Sequence, residues 1–362
     1  MPFSVKIKII DRYIIGKFLG TYIFAIILIL AITIMFDVNE KLDSFLKAPL
    51  KATVFDYFLN FLPYFANQFS PLFTFIAVIF FTSKLADNSE IIAMLSSGMS
   101  FHRLMRPYMI SAAIIAASTF ILSAYIIPPA NVKRIDYTNT YVRNRRVDYG
   151  TNIQMQVAKG QIAYMSRYDN TNKTGYKFSL ETFKDKKLVS RLTAQTIRYD
   201  SLYNWQVRDY MIRDFNGTRE VIRTGSKLDT VIPMEPRDFL ISKNDQETMS
   251  SPDLNEYIVR QKERGVANIK NFEIEYNRRY AMCAAAFILT VIGMSLSSRK
   301  VKGGMGLNIG IGLVLSFSYI LFMTVTSTFA VSGYTSPLVA MWIPNIIYAI
   351  IAIILYYRAC NR

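Results

Sequence analysis

Charge-free apolar runs alternate with short polar islands along this chain, and the runs set its class. Five dominate: Phe18–Phe36, Tyr57–Ser83, Pro107–Val132, Tyr280–Ser298 and Gly303–Tyr357. A bilayer core takes about 20 apolar residues per helix, so each of the first four predicts one span. The fifth holds 55 residues, and Ser332-Gly-Tyr-Thr-Ser-Pro337 in its middle is turn chemistry. It therefore predicts two spans joined by a tight hairpin. Six transmembrane helices are expected, three on each side of a long polar segment. Span two carries Pro63 and Pro71 and span three ends at Pro128-Pro129, which predicts simple kinks.

The polar segment, from Asn131 to about Arg278, reads as a separate soluble body. Gln161–Met165, Tyr176–Phe183, Leu188–Arg198 and Asn204–Arg213 alternate or are rich in β-formers. Asn216-Gly217 is a hairpin signal ahead of Glu220–Arg223. Roughly seven or eight short strands at close turn spacing suggest a sandwich or jelly roll. A helix follows over Ser251–Gly265, with Ser251 as cap, Pro252 in the first turn, Asp253 answering the dipole and Gly265 as the stop. The polar stretch Asn271–Arg279 then leads into span four. Between spans one and two, Asp37–Lys51 reads as a mixed-charge loop with a short amphipathic piece, Val38, Leu42, Phe45 and Leu46.

One polar island stands out. Asp87–Gly98 lies between spans two and three and runs on through Met99–Pro107. Ser89 is a candidate cap and Glu90 suits the positive end of a helix dipole. Ile91, Ile92, Met94 and Leu95 make an apolar face at helical spacing, and Gly98 is a natural stop. A second start at Ser100 leads through Arg103 and Arg106 into span three. Two readings stand side by side: a docking helix for a cytoplasmic partner, or an interfacial helix lying in the headgroups.

The net charge of +16 invites nucleic acid as a partner, but its placement argues against that. Lys6, Lys8, Arg12 and Lys17 precede span one; Lys84, Arg103 and Arg106 lie between spans two and three; Arg299, Lys300 and Lys302 lie between spans four and five; Arg358 and Arg362 end the chain. Short loops rich in Lys and Arg stay in the cytoplasm. Both termini are thus expected inside and the 131–278 segment outside. Span one is too long for a removable signal peptide and lacks a small-residue cleavage site, so it reads as an anchor. Cys283 and Cys360 supply neither a disulfide for the outer domain nor a metal motif.

No catalytic constellation is legible. The single histidine, His102, lies in a loop, which excludes a Ser-His-Asp triad or a histidine metal site in the outer domain. There is no Gly-x4-Gly-Lys-[Ser/Thr] phosphate loop. Gly304-Met-Gly-Leu-Asn-Ile-Gly310 opens an apolar span with no strand before it, so Gly306 and Gly310 read as close helix packing. Asn216-Gly-Thr218 fits a glycosylation sequon, but the hairpin accounts for it. No metal, cofactor or catalytic residue is expected, and any nucleotide site belongs to another chain. The spans also lack central ionisable residues, which weakens an ion-coupled mechanism. Lys41, Lys47, Lys51, Lys133 and Arg134 crowd the outer ends of the spans. An apolar bundle with a cationic rim suits an amphiphile with acyl chains and anionic headgroups; solvated loop charge is the alternative.

Several of these pieces together resemble the LptF/LptG family of lipopolysaccharide-export permeases, the transmembrane half of an ATP-binding-cassette transporter. They are Asp11-Arg-Tyr-Ile, Ser89-Glu-Ile-Ile-Ala-Met-Leu-Ser-Ser-Gly98, Ser251-Pro-Asp-Leu254, Glu275 and Arg278, Ser297-Ser-Arg-Lys-Val-Lys-Gly-Gly304 and Trp342-Ile-Pro-Asn345. The resemblance covers essentially the whole chain. It implies an α-helical membrane protein of six spans (3+3) with an inserted all-β, jelly-roll-like periplasmic domain. The expected divisions are 1–130 for spans one to three, 131–250 for the β domain, 251–278 for a helical connector and 279–362 for spans four to six. The coupling helix covers about 87–98 and meets the ATPase through Ser89, Glu90, Ile91, Ile92, Leu95 and Gly98. Lys41, Lys133 and Arg134 match the family's headgroup-facing bases in kind. The implied partners are a paralogous permease subunit, a cytoplasmic ABC ATPase dimer, periplasmic jelly-roll bridge proteins and lipopolysaccharide, at the bacterial inner membrane. A non-transporting envelope scaffold and a secondary lipid transporter are the rival functions.

Overall fold

The computed structural model describes residues 8–142, 149–217, 219–239, 245–263, 269–299 and 304–361. The expected stop at Gly265, Thr218 of the sequon, and the charges Lys6, Lys300, Lys302 and Arg362 lie outside these residues. The described chain divides into two units: residues 1–143, 247–252 and 270–362, and residues 144–246 and 253–269.

The first unit is helical. It contains α1 (Ile9–Lys47), α2 (Leu50–Ala52), α3 (Leu59–Gln68), α4 (Ser70–Asp87), α5 (Glu90–Ser96), α6 (Phe101–Ile121) and α7 (Ile127–Tyr137). Six helices among the described residues are long and apolar enough to cross a membrane. α1 differs from expectation: the stretch read as a loop after Asp37 remains helical to Lys47. The turn-by-turn spacing of Phe45 lets its ring meet Tyr57, Phe58 and Tyr137, and Pro49 then prevents continuation. Irregularities accompany Pro71 and Pro128-Pro129, while Pro63 lies inside the single helix α3. α3 and α4 break at Phe69 (φ −102°, ψ 12°), just before Pro71. A π-helical turn at Leu122–Ile126 precedes Pro128-Pro129 in α7.

The second unit holds β1 (Tyr149–Ala158), β2 (Gln161–Asp169), β3 (Thr174–Lys184), β4 (Lys187–Ser201), β5 (Asn204–Asn216) and β6 (Arg219–Val231), followed by α8 (Pro236–Phe239). The strands pair antiparallel in sequence order, so the described sheet is a six-stranded meander inserted between the third and fourth spans. They are fewer and longer than the seven or eight short ones expected, and β1 carries no signal singled out in the sequence. Asn216-Gly217 turns β5 into β6 as anticipated, with Gly217 in the left-handed region (φ 65°) that favours glycine. One face is dry: Met165, Phe178, Ile197, Trp205 and Val207 pack with Ile232 and Met234, and Trp205 Nε1 donates to the Met234 carbonyl at 3.0 Å.

The chain continues with α9 (Ser251–Glu263), α10 (Lys270–Ser297), α11 (Gly304–Val331) and α12 (Pro337–Cys360). The long fifth run is two helices, as expected, joined by a turn with Gly333 at φ 89° and Ser336 accepting from the Val339 N–H. Within the helical unit α4 packs against α1, α10 and α11, and α10 also against α6 and α12. The close approaches use glycines other than those expected. A Cβ on Gly293 would lie 2.7 Å from Val78 Cγ1, and one on Gly312 would strike Ile79. Gly306 and Gly310 have no such neighbour and lie exposed on α11, so their reading as close packing within this chain is corrected. α1 is the least packed span: between Ile23 and Phe36 its large apolar side chains are exposed or half-buried.

Candidate functional site

Polar side chains gather at both ends of the helical unit. At the first end lies α5, seven residues long. Ile91 on its inner face is fully buried in a cluster with Leu85, Ala86, Leu104 and Met105. Ile92 (52 % exposed) and Leu95 (36 %) face outward instead. The helix is thus anchored by one isoleucine and presents an apolar pair to its surroundings. Gly98 ends it in the left-handed region (φ 88°), its N–H donating to the Leu95 carbonyl at 3.0 Å.

The expected cap is only half right. Ser89 occupies the cap position, but it is left-handed (φ 63°, ψ 12°) and its hydroxyl makes no cap bond. The tight turn is held by the Ser89 N–H on the Ala86 carbonyl at 3.0 Å. With that backbone the side chain is not aimed at the helix amides, so Ser89 shapes the turn and does not cap the helix. Ser100, by contrast, accepts from the Arg103 N–H at 3.2 Å and starts α6 as read.

Glu90 reaches back to α1: Tyr13 OH donates to its Oε2 at 3.1 Å, and Asn88 Nδ2 to its Oε1 at 3.3 Å. Beside it, Arg103 Nη1 and Nη2 each donate to an Asp11 carboxylate oxygen at 2.6 Å, a bidentate pair. Asp11 also accepts from the Lys8 N–H at 3.0 Å. Sequence reasoning noted these residues without pairing them. They lie 77 and 92 positions apart, and no periodicity encodes such a contact.

The opposite end holds the three bases proposed to meet a headgroup, in three different settings. Lys41 pairs with Asp37, donates to Tyr57 OH at 2.6 Å and lies over the Tyr57 ring. It sits where α1 departs from helical geometry (φ −115°, ψ 18°). Lys133 is exposed. Arg134 turns inward: it pairs with Glu247 at 3.1 Å, donates to Asn131 Oδ1 at 2.9 Å and stacks 4.3 Å from the Tyr64 ring centroid. The three bases therefore do not form one open cationic rim.

Glu247 belongs to a buried network that the sequence did not suggest. Tyr64 OH donates to it at 3.2 Å, and Asn131 Nδ2 donates to its main-chain carbonyl at 3.2 Å. Glu275 pairs with both Arg278 (2.6 Å) and Arg279 (3.1 Å). Arg278 also donates to Gln68 Oε1 at 2.9 Å, while Arg279 donates to Ser251 Oγ at 2.9 Å and to the Met249 carbonyl at 3.0 Å. Burial, together with the Glu275 charge, holds the Glu247 carboxyl above the usual glutamate range. Arg134 and Arg278 pull it down, and burial wins. The network ties the 247–252 segment to α3, α7 and α10.

This combination of six spans, an inserted sheet and a half-anchored helix at the mouth of spans two and three has a match. A family model described as lipopolysaccharide export system permease LptF/LptG matches residues 12–358. The chain belongs to the LptF/LptG family. It is a multi-pass membrane protein and a permease of lipopolysaccharide export, a transport system that implies partner subunits. No curated protein matches the chain. LptF/LptG membership places the resemblance on firm ground across both helical halves and the inserted sheet.

Proposed function

We propose that this LptF/LptG permease is the transmembrane half of an ATP-binding-cassette transporter. It withdraws lipopolysaccharide from the outer leaflet of the inner membrane and hands it through its own β domain to periplasmic bridge proteins. A paralogous permease completes the lipid chamber, and a cytoplasmic ATPase dimer docks on α5. Both termini and the 84–106 loop face the cytoplasm, following the placement of Lys and Arg, and the sheet faces the periplasm. The divisions at 130, 250 and 278 separate spans, β domain, connector and spans. Lys133, exposed beside the bundle, and Lys41 are the bases proposed to meet the anionic headgroup; Arg134 acts behind them by fixing the 247–252 segment.

The observation that carries this reading is α5 itself: Ile91 anchors it inside, while Ile92 and Leu95 present an apolar pair outward beside the half-buried Glu90. A desolvated charge at an interface is worth a few kcal/mol when its partner is lost, about 2–5. Affinity purification of the tagged chain from native membranes is expected to bring down an ABC ATPase, and Glu90→Lys to release it while the permease still inserts. A Glu90→Lys permease that retains its ATPase and exports lipid normally would refute the assignment. Recovery of the wild type with envelope proteins and no ATPase would favour a scaffold.

A further inference from the structure

The base of α1 is joined to the docking helix α5 and to the start of α6 that follows it by two polar contacts and one apolar one. Asp11, nearly fully buried, grips Arg103 through both carboxylate oxygens at 2.6 Å. Tyr13 gives its hydroxyl to Glu90 at 3.1 Å. Ile14 and Phe18, each fully buried, enter the same cluster as Ile91, Leu104 and Tyr108. These three attachments occupy the first turns of a helix whose following stretch, Ile23 to Phe36, leaves Ile27, Leu28, Ile32 and Met35 exposed.

We propose that the Asp11–Arg103 clamp and the Tyr13–Glu90 bond form the joint through which movement of the docking helix is imposed on the first span. Asp11, Tyr13 and Arg103 are positioning residues; none touches lipid or nucleotide. The inference rests on the reading of α5 as the ATPase docking helix and extends it to a route into the bundle. A displaced α5 carries Glu90 and Ile91 with it, and Arg103, one turn into α6, carries Asp11. A bidentate guanidinium–carboxylate pair fixes orientation as well as distance, so rotation of the loop reaches α1 as rotation. Between Ile23 and Phe36 the large apolar side chains of α1 are exposed or half-buried and offer little packing to resist it. Glu90 is shared in this scheme: Tyr13 donates to its Oε2, so an ATPase cation pairing with the same carboxylate links the partner to the first span through one side chain.

The test uses the whole transporter, purified with its ATPase and reconstituted in proteoliposomes containing lipopolysaccharide, and reads lipid released per ATP hydrolysed. A wild-type preparation that brings down no ATPase would refute the docking reading and is scored first. With the complex in hand, Asp11→Asn is expected to lower the ratio about tenfold and Tyr13→Phe about threefold, while the ATPase stays bound. The exchanged double variant Asp11→Arg with Arg103→Asp is expected to recover more of the ratio than either single exchange retains. An unchanged ratio in Asp11→Asn and Tyr13→Phe overturns the joint. Loss of the complex in Asp11→Asn together with a wild-type ratio in Tyr13→Phe also overturns it, because the pair then serves folding alone.

Discussion

Arg134 and Glu247, 113 residues apart, meet as a 3.1 Å ion pair roofed by the ring of Tyr64. The pair joins residue 247 to α7, and with Arg279 on Ser251 and Met249 it holds residues 247–252 within the helical unit. Removing one member leaves the other buried without its charge partner. Arg134→Ala is expected to destabilise the helical unit by about 3–5 kcal/mol, read as a lowered midpoint in thermal unfolding in detergent. Lys133→Ala, one residue away but exposed, is expected to leave that midpoint in place.

The same pair sets a pH dependence. Because the Glu247 carboxyl is held above its ordinary value, the folded state binds this proton more tightly than the unfolded chain does. Its contribution is fully present below the unfolded glutamate value and is lost as pH rises through the folded one. Stability should therefore fall with rising pH across that window, and Glu247→Gln should flatten the slope. Unfolding midpoints at a series of pH values compare the two; an equal slope in both proteins would remove Glu247 as the cause.

Glycine substitutions separate internal packing from exposed surface. Gly293→Ala drives a methyl against Val78, a stiff β-branched side chain, and against Phe75. Overpacking of this kind costs about 1–3 kcal/mol, measurable as a lower unfolding midpoint. Gly306→Ala and Gly310→Ala meet open space and should leave the isolated chain's midpoint unchanged. If those two weaken copurification of a second permease subunit instead, the α11 face is where that subunit sits.

For the sheet, Trp205 is the test of the core. Its ring is edge-on to Tyr168 and Tyr199, and its indole N–H is satisfied by Met234. Trp205→Ala should cost about 3–5 kcal/mol, seen as rapid cleavage of the 149–231 region in limited proteolysis of the intact protein.

What the sequence revealed and what it hid divide along a physical line. Spans, the Ser332–Pro337 hairpin, the Ser100 start and the Gly98 stop are written in local hydropathy and local backbone chemistry, and all appear in the structure. At Asp37–Lys51 charge density masks a helix held by Phe45, whose partners come from the turn before α3 and from α7. The residue type of Ser89 fits a cap while its backbone angle does not. Arg134 looked like a free surface base because its acid lies on the far side of the inserted sheet in sequence. Gly306 and Gly310 matched a spacing, whereas the glycines that admit a neighbour, Gly293 and Gly312, show no pattern at all. Contacts at long separation leave no periodic trace in one sequence, and the polar networks at both ends consist of such contacts.

The first span is fastened at one end by Asp11 and Tyr13 and at the other by Asp37 and Lys41 on Tyr57. Tyr22 adds one hydroxyl contact to Ser70 between them, at 2.9 Å. A rod clamped at both ends cannot slide along its axis. It can only bow or roll, and Lys41, already off the helical path, is where a bend would concentrate. Bending of this span would therefore be widest at its middle, between Ile23 and Phe36, with both ends held in place.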